Sequence, residues 1–71
     1  MTILVAGAGG FIGGHLVAEL SRRGEKVRAV DIKPVDQWFQ KNQDSEQRQL
    51  DLRDRSAARE AILGVDQVYN L

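Results

Sequence analysis

Gly7-Ala8-Gly9-Gly10-Phe11-Ile12-Gly13 is the stretch around which the rest of the chain is organised. A short apolar run, Ile3-Leu4-Val5-Ala6, precedes it. A helix-like pattern comes after it, with Phe11, Ile12, Leu16, Val17 and Leu20 on one side and Glu19, Arg22 and Arg23 on the other. The order is strand, glycine turn, helix. Each glycine has its own reason to be there. Gly7 lets the chain leave the strand in a tight turn, with a positive φ that a side chain would penalise.

The same order is the setting in which a glycine fingerprint for a dinucleotide carries weight. A Cβ at Gly10 would hold a pyrophosphate away from the backbone N–H groups, and Gly13, one turn into the helix, allows close packing of helix on strand. The helix N-terminus then offers unpaired N–H donors and the positive end of a dipole. A dipole end is worth about 0.3–1 kcal/mol per charge, so the N–H geometry matters more than the field. The spacing is Gly-x-x-Gly-x-x-Gly. The commoner Gly-x-Gly-x-x-Gly, counted from Gly7, would end at Ile12. An ordinary glycine-rich strand-to-helix turn also satisfies three glycines, so the reading depends on residues further along the chain. A phosphate-binding P-loop does not fit, because no Gly-Lys-Ser/Thr comes after the glycines.

Seventy-one residues make about half of an ordinary domain. A chain of this size buries only about 60% of its extended surface, and with no cysteines it has no disulfides to compensate. Ten Lys and Arg balance ten Asp and Glu, so the electrostatic footprint of a nucleic-acid binder is missing. The longest apolar run is far too short to span a membrane. No charged segment precedes it, as a signal peptide would require. These features lead to an expectation of a soluble, cytoplasmic protein.

In chain order, residues 2–6 read as a strand buried on both faces. Residues 10–22 read as a helix, stopped by Gly24 with Arg22 and Arg23 in its last turn. Residues 26–30 read as a second strand ending at Asp31, and Pro34 prevents its continuation. Val35, Trp38 and Phe39 have the spacing of a short amphipathic turn, with the two aromatics as satellite core or an interdomain contact. The polar stretch 40–49 reads as a loop leading into a short third strand at about 47–51. Asp54 can cap a helix at 55–63, whose apolar face is Ala57, Ala58, Ala61 and Ile62 and whose stop is Gly64. Residues 66–71 read as a fourth strand. Alternating strands and helices imply a parallel sheet with right-handed crossovers. The expected class is therefore α/β, the N-terminal half of a Rossmann-type doubly wound sheet in the order 3-2-1-4, with its switch point between the first and fourth strands.

Two acidic positions carry the chemistry. Asp31 lies 18 residues beyond Gly13, at the end of the second strand. There a carboxylate can accept from adenosine ribose hydroxyls, though a turn-forming Asp would also occupy this place. A 2′-phosphate beside it would be repelled by up to roughly 4 kcal/mol per unit charge at 4 Å in an effective dielectric of 20, which favours NAD over NADP. Lys33 offsets part of this repulsion. Asp51-Leu52-Arg53-Asp54 comes after the third strand, and Asp51 can accept from the exocyclic amine of adenine. The same turn also reads as a helix N-cap, and both readings can hold together.

Gly7-Ala8-Gly9-Gly10-Phe11-Ile12-Gly13-Gly14-His15-Leu16 resembles the extended short-chain dehydrogenase/reductase family, in its NAD-dependent epimerase/dehydratase branch. That family has Thr-Gly-x-x-Gly-Phe-Ile-Gly-Ser-His-Leu here. It then has an acidic residue closing the second strand, an Asp-Leu-x-Asp turn, and an Asn/His-Leu-Ala-Ala segment ending the fourth strand, whose first two places match Asn70-Leu71. The resemblance runs the length of the chain. It departs at Ala6, where Thr is usual, and at Gly14, where Ser is usual. It implies that Gly7, Gly10 and Gly13 form the cofactor loop, that Phe11 and Ile12 lend backbone donors to the pyrophosphate, that Asp31 holds the ribose, and that Asp51 and Leu52 contact adenine. His15 reads as a structural histidine making a local hydrogen bond.

The resemblance further implies an NAD-dependent nucleotide-sugar epimerase or dehydratase, homodimeric as a whole. The family's catalytic Ser/Thr and Tyr-x-x-x-Lys would lie downstream. Tyr69 is the only tyrosine here and has no lysine at the required spacing. The chain thus reads as the N-terminal part, 1–71, of a cofactor domain, with no catalytic residue and no metal ligand of its own. The Asp-rich turn and the chain's last residues resemble the GDP-mannose 3,5-epimerase group. The other reading is a dinucleotide-binding or sensing module without chemistry, which would lack Tyr-x-x-x-Lys. Taken alone, the segment is expected to expose its first and fourth strands, to bind NAD weakly and to associate through that edge.

Overall fold

β1, Thr2–Ala6, is an apolar run that is almost fully buried: Ile3, Leu4 and Val5 are each 1% exposed or less. The computed structural model describes residues 1–71. After β1 come α1 (Phe11–Arg22), β2 (Lys26–Asp31), a 3-10 turn at Val35–Gln37, β3 (Glu46–Gln49), α2 (Arg55–Ile62) and β4 (Gln67–Asn70). All strand pairs are parallel, and the spatial order is β3-β2-β1-β4. The expected class, order and element sequence are therefore those observed. β1 pairs with β2 from Thr2 opposite Lys26 to Ala6 opposite Val30, and with β4 from Ile3 opposite Gln67 to Ala6 opposite Asn70.

Two apolar layers flank the sheet. On one face Ile3, Val5, Val27 and Ala29 pack with Val17 and Leu20 of α1 and with Trp38. On the other, Leu4, Ala6 and Val30 pack with Ala61 of α2. Parallel strands between two layers need apolar residues in both parities, and β1 supplies them. Gly24 and Gly64 take positive φ at the ends of the helices, as their places as stop residues require.

Several details differ from expectation. β3 ends at Gln49, because Leu50 leaves the ladder after its N–H bonds Asp31 O at 3.0 Å. Phe11 and Ile12 are 60% and 70% exposed. The first turn of α1 rises past the sheet's end, so only Leu16, Val17 and Leu20 of the five apolar positions reach the core layer. On α2, Ala61 alone is buried and Ile62 is 55% exposed, because an eight-residue helix crossing the sheet at its alanine face brings few side chains inward. Trp38 is no satellite: it lies in the larger core layer at 6% exposure, with its indole N–H donating to Lys33 O at 2.9 Å. β1 is interior, held by β2 and β4, so the open edge on that side is β4 alone.

Candidate functional site

β1 and β2 end side by side, and the glycine turn is built on their carboxyl ends. The N–H groups of Gly7 and Ala8 both donate to Val30 O at 3.0 Å. Gly7 has φ +88°, a conformation open to glycine and strained for other residues. A Cβ at Gly13 would collide with the carbonyl oxygen of Gly7, so the helix packs on the turn itself. At Gly10 a Cβ would meet nothing closer than Gly7 O at 3.7 Å, which leaves the space in front of the turn open. α1 begins without a side-chain cap and without an acidic residue in its first turn. The first bond of the helix is from Gly14 N–H to Gly10 O, and the N–H groups of Phe11, Ile12 and Gly13 have no acceptor in the chain. Three converging donors at the positive end of a helix dipole form the arrangement that suits a phosphate.

A cleft of about 530 Å³ opens beside the turn, within the usual size of a small-molecule site. Its walls include Gly7 from the turn, Asp31 from the end of β2, and Asp51, Leu52 and Arg53 from the loop after β3. Four sequence-predicted positions, Gly7, Asp31, Asp51 and Leu52, therefore share one cavity. Gly10, Phe11, Ile12 and Gly13 lie outside its walls, at the start of α1. The cleft sits at the carboxyl ends of the strands, where ligands bind in sheets of this order.

Asp31 is already engaged. Its Oδ2 accepts from Gly9 N–H at 2.9 Å and its Oδ1 from Lys33 N–H at 3.0 Å. Each carboxylate oxygen has a second lone pair, so two hydroxyl donors can still be accepted. Asp51 is paired with Arg53, whose Nε and Nη2 each reach one carboxylate oxygen at 2.9 Å. The Arg53 side chain, followed by the Arg53 backbone N–H, holds the Asp51 carboxyl below the usual carboxylate range. Asp54 caps α2, its Oδ1 accepting from Ser56 N–H at 3.1 Å, so cleft wall and helix cap coexist in one turn.

Sequence reasoning missed three participants. Arg53 occupies the unspecified place of the Asp-Leu-x-Asp turn; its position two residues after Asp51 was the available signal. Gly9 and Trp38 are coupled: a Cβ at Gly9 would lie 2.7 Å from Trp38 Cδ1 and 2.9 Å from Asp31 Oδ2. No local pattern in the sequence discloses that contact. His15 makes aromatic contacts in place of the expected hydrogen bond, with its ring edge-on to Phe11 at 4.6 Å between centroids.

A parallel 3-2-1-4 sheet with an open glycine turn and acidic residues around one cleft defines the first half of a Rossmann nucleotide-binding fold. The chain belongs to the NAD dependent epimerase/dehydratase family, whose profile matches residues 3–71. It is 43% identical over 70 residues to sterol demethylase protein B of Methylococcus capsulatus, covering 99% of this chain and 21% of that protein. A short-chain dehydrogenase/reductase superfamily protein of Agrobacterium tumefaciens with bound NAD superposes at a TM-score of 0.83 with 34% identity, covering 100% of this chain and 20% of that one. A UDP-galactose 4-epimerase does so at 0.81 with 34% identity, covering 100% and 23%.

The chain thus spans about a fifth of the length of these relatives. It is an NAD-binding Rossmann segment of its family. None of these three relatives is described as a GDP-mannose 3,5-epimerase, so that finer placement is not shown. No helix is long and apolar enough to cross a membrane.

Proposed function

We propose that residues 1–71 are the cofactor-holding N-terminal portion of a longer NAD-dependent enzyme acting on a nucleotide sugar. The observation that carries this reading is the shared cleft. It puts the Asp31 carboxylate beside the glycine turn, next to a helix start with three unpartnered N–H groups. In this reading Gly7 and Gly13 shape the turn and Gly10 leaves room for the pyrophosphate. Phe11 and Ile12 donate backbone N–H groups to it. Asp31 accepts from the adenosine ribose, Asp51 from the adenine amine, and Leu52 packs against the ring. Bound NAD supplies a hydride acceptor. The residues of this segment bind and orient it, and the groups that move protons on the substrate belong to the rest of a homodimeric enzyme. The nucleotide sugar is supported by the 34% identity to a UDP-galactose 4-epimerase.

A second reading rests on one specific observation, the 43% identity to sterol demethylase protein B. There the substrate hydroxyl would sit on a sterol. Both readings share the cofactor site and part at the substrate. The test uses the full-length protein. Calorimetry is expected to give NAD at least about tenfold tighter affinity than NADP, a difference of about 1.4 kcal/mol. Incubation with UDP-sugars is expected to yield an epimer or dehydrated sugar. Failure to bind NAD overturns the site. Oxidation of a hydroxysterol with every UDP-sugar left unchanged overturns the first reading in favour of the second.

A further inference from the structure

The segment after the 3-10 turn has no role in the function proposed above, yet it touches the glycine turn and α1 at successive points. Trp38 is buried and lies against Gly9, and its indole is anchored by Lys33 O at 2.9 Å. Phe39 N–H donates to Gly9 O at 3.0 Å, and its ring meets Phe11 edge-on at 4.8 Å. Gln40 fills the space beside Gly14, where a Cβ would lie 2.9 Å from its Cγ. Asn42 Nδ2 donates to Gly14 O at 3.3 Å. A serine at position 14, the residue the family resemblance expects, would require the Gln40 side chain to shift.

Gly9 is therefore held from both sides of its backbone. Its N–H is fixed by Asp31 Oδ2 and its C=O by Phe39 N–H, while the Trp38 ring closes the space a side chain would need. Gly9 lies between Gly7 and Gly10, so its orientation sets where the next peptide N–H groups point. We infer that Trp38 is a positioning residue for NAD: through Gly9 it fixes the glycine turn in the conformation that receives the diphosphate, without touching the cofactor. The inference rests on the cofactor site proposed above. A displaced turn would weaken binding of substrate-free enzyme to NAD, whereas a role confined to core packing would lower stability alone.

The experiment compares Trp38→Leu, Trp38→Phe and Val17→Ala in the full-length protein. Val17 is buried in the same apolar layer and is not among the groups nearest Gly9. Each variant is read by thermal melting and by calorimetric titration with NAD. The expected result for Trp38→Leu is a Kd raised about tenfold or more, since small displacements of a binding group carry large penalties. Trp38→Phe restores part of the affinity. Val17→Ala loses melting temperature and keeps its Kd within about twofold. Should Trp38→Leu fail to fold, Trp38→Phe alone decides: it loses the anchor to Lys33 O and is expected to weaken NAD by about threefold. The inference is overturned if the Trp38 variants keep the parental Kd, or if Val17→Ala weakens NAD as much as they do. Failure of the unsubstituted protein to bind NAD overturns the site reading itself.

Discussion

Asp31 shows how much one residue does in this fold. Its place at the end of β2, on the wall of the cleft, was legible from the sequence, and the ribose-accepting role proposed above rests on that place. Its local bond from Lys33 N–H matches the turn-forming reading of this Asp, whereas the bond from Gly9 N–H was not legible, because Gly9 lies 22 positions away in sequence. Asparagine at this position presents one acceptor oxygen and one NH₂ group to two N–H donors. One of them is left facing a donor, at a cost of about 1 kcal/mol or more. Asp31→Asn is therefore expected to lower the melting temperature of the NAD-free protein as well as its NAD affinity. A variant that binds NAD poorly and melts like the parent would show that the carboxylate serves the ribose and does not support the turn. Gly13 was legible for the opposite reason. Its neighbour, Gly7 O, is six residues away, and close packing is built into the motif. Trp38 was read as peripheral, because nothing in the local spacing of Val35, Trp38 and Phe39 discloses a contact with residue 9.

At the scale of elements, strands and helices were legible wherever apolar runs met glycine or proline stops, as in β1, α1 and β2. β3 was harder: Glu46-Gln47-Arg48-Gln49 has no apolar residue, and its place in the sheet comes from pairing with β2. Part of its support is ionic. Arg28 of β2 bonds Glu46 Oε1 at 3.1 Å and reaches across to Ala61 O at 2.7 Å and Leu63 O at 2.8 Å, so it binds β3 and the end of α2 at once. α2 has only eight residues, too few to be stable alone, so its end contacts matter. Burial pushes the Glu46 carboxyl up, but the hydrogen bond and charge of Arg28 and the charge of Arg48 outweigh it, and the group sits below its usual range. A depressed carboxyl stabilises the fold above its unfolded pKa, and that contribution disappears as pH falls through the folded value. Arg28→Met should thus destabilise the protein by about 1–3 kcal/mol at neutral pH. It should also flatten the part of the acid-stability profile below about pH 5 that Glu46 contributes. Equilibrium denaturation at pH 7 and pH 4 measures both. An unchanged slope with pH would mean that Arg48, paired with both Glu46 and Glu60, carries the ionic support of β3 without Arg28.

For the whole molecule the decisive feature is the asymmetry of its two sheet edges. β3 is polar throughout, which discourages pairing with another chain. β4 differs. Its register to β1 is fixed at the entry by a reciprocal pair, Asp66 N–H to Thr2 O and Thr2 N–H to Asp66 Oδ2, each 2.8 Å. Its outer side is open, and all four of its residues are exposed. Val68 is 54% and Tyr69 39% exposed, with Leu63 and Leu71 nearby in the chain at 74% and 58%. An uncovered apolar edge with free N–H and C=O groups templates a further strand. The 71-residue chain is thus expected to self-associate as concentration rises, and sedimentation velocity would show a growing dimer population. Lysine is a common device for blunting such an edge. Because Val68 makes no part of either apolar layer, Val68→Lys should leave the fold intact and hold the chain monomeric. If Val68→Lys associates as strongly as the parent, the exposed start of α1, Phe11 and Ile12 with Phe39, is the adhesive surface instead. A further substitution of Phe39 by serine then separates the two surfaces.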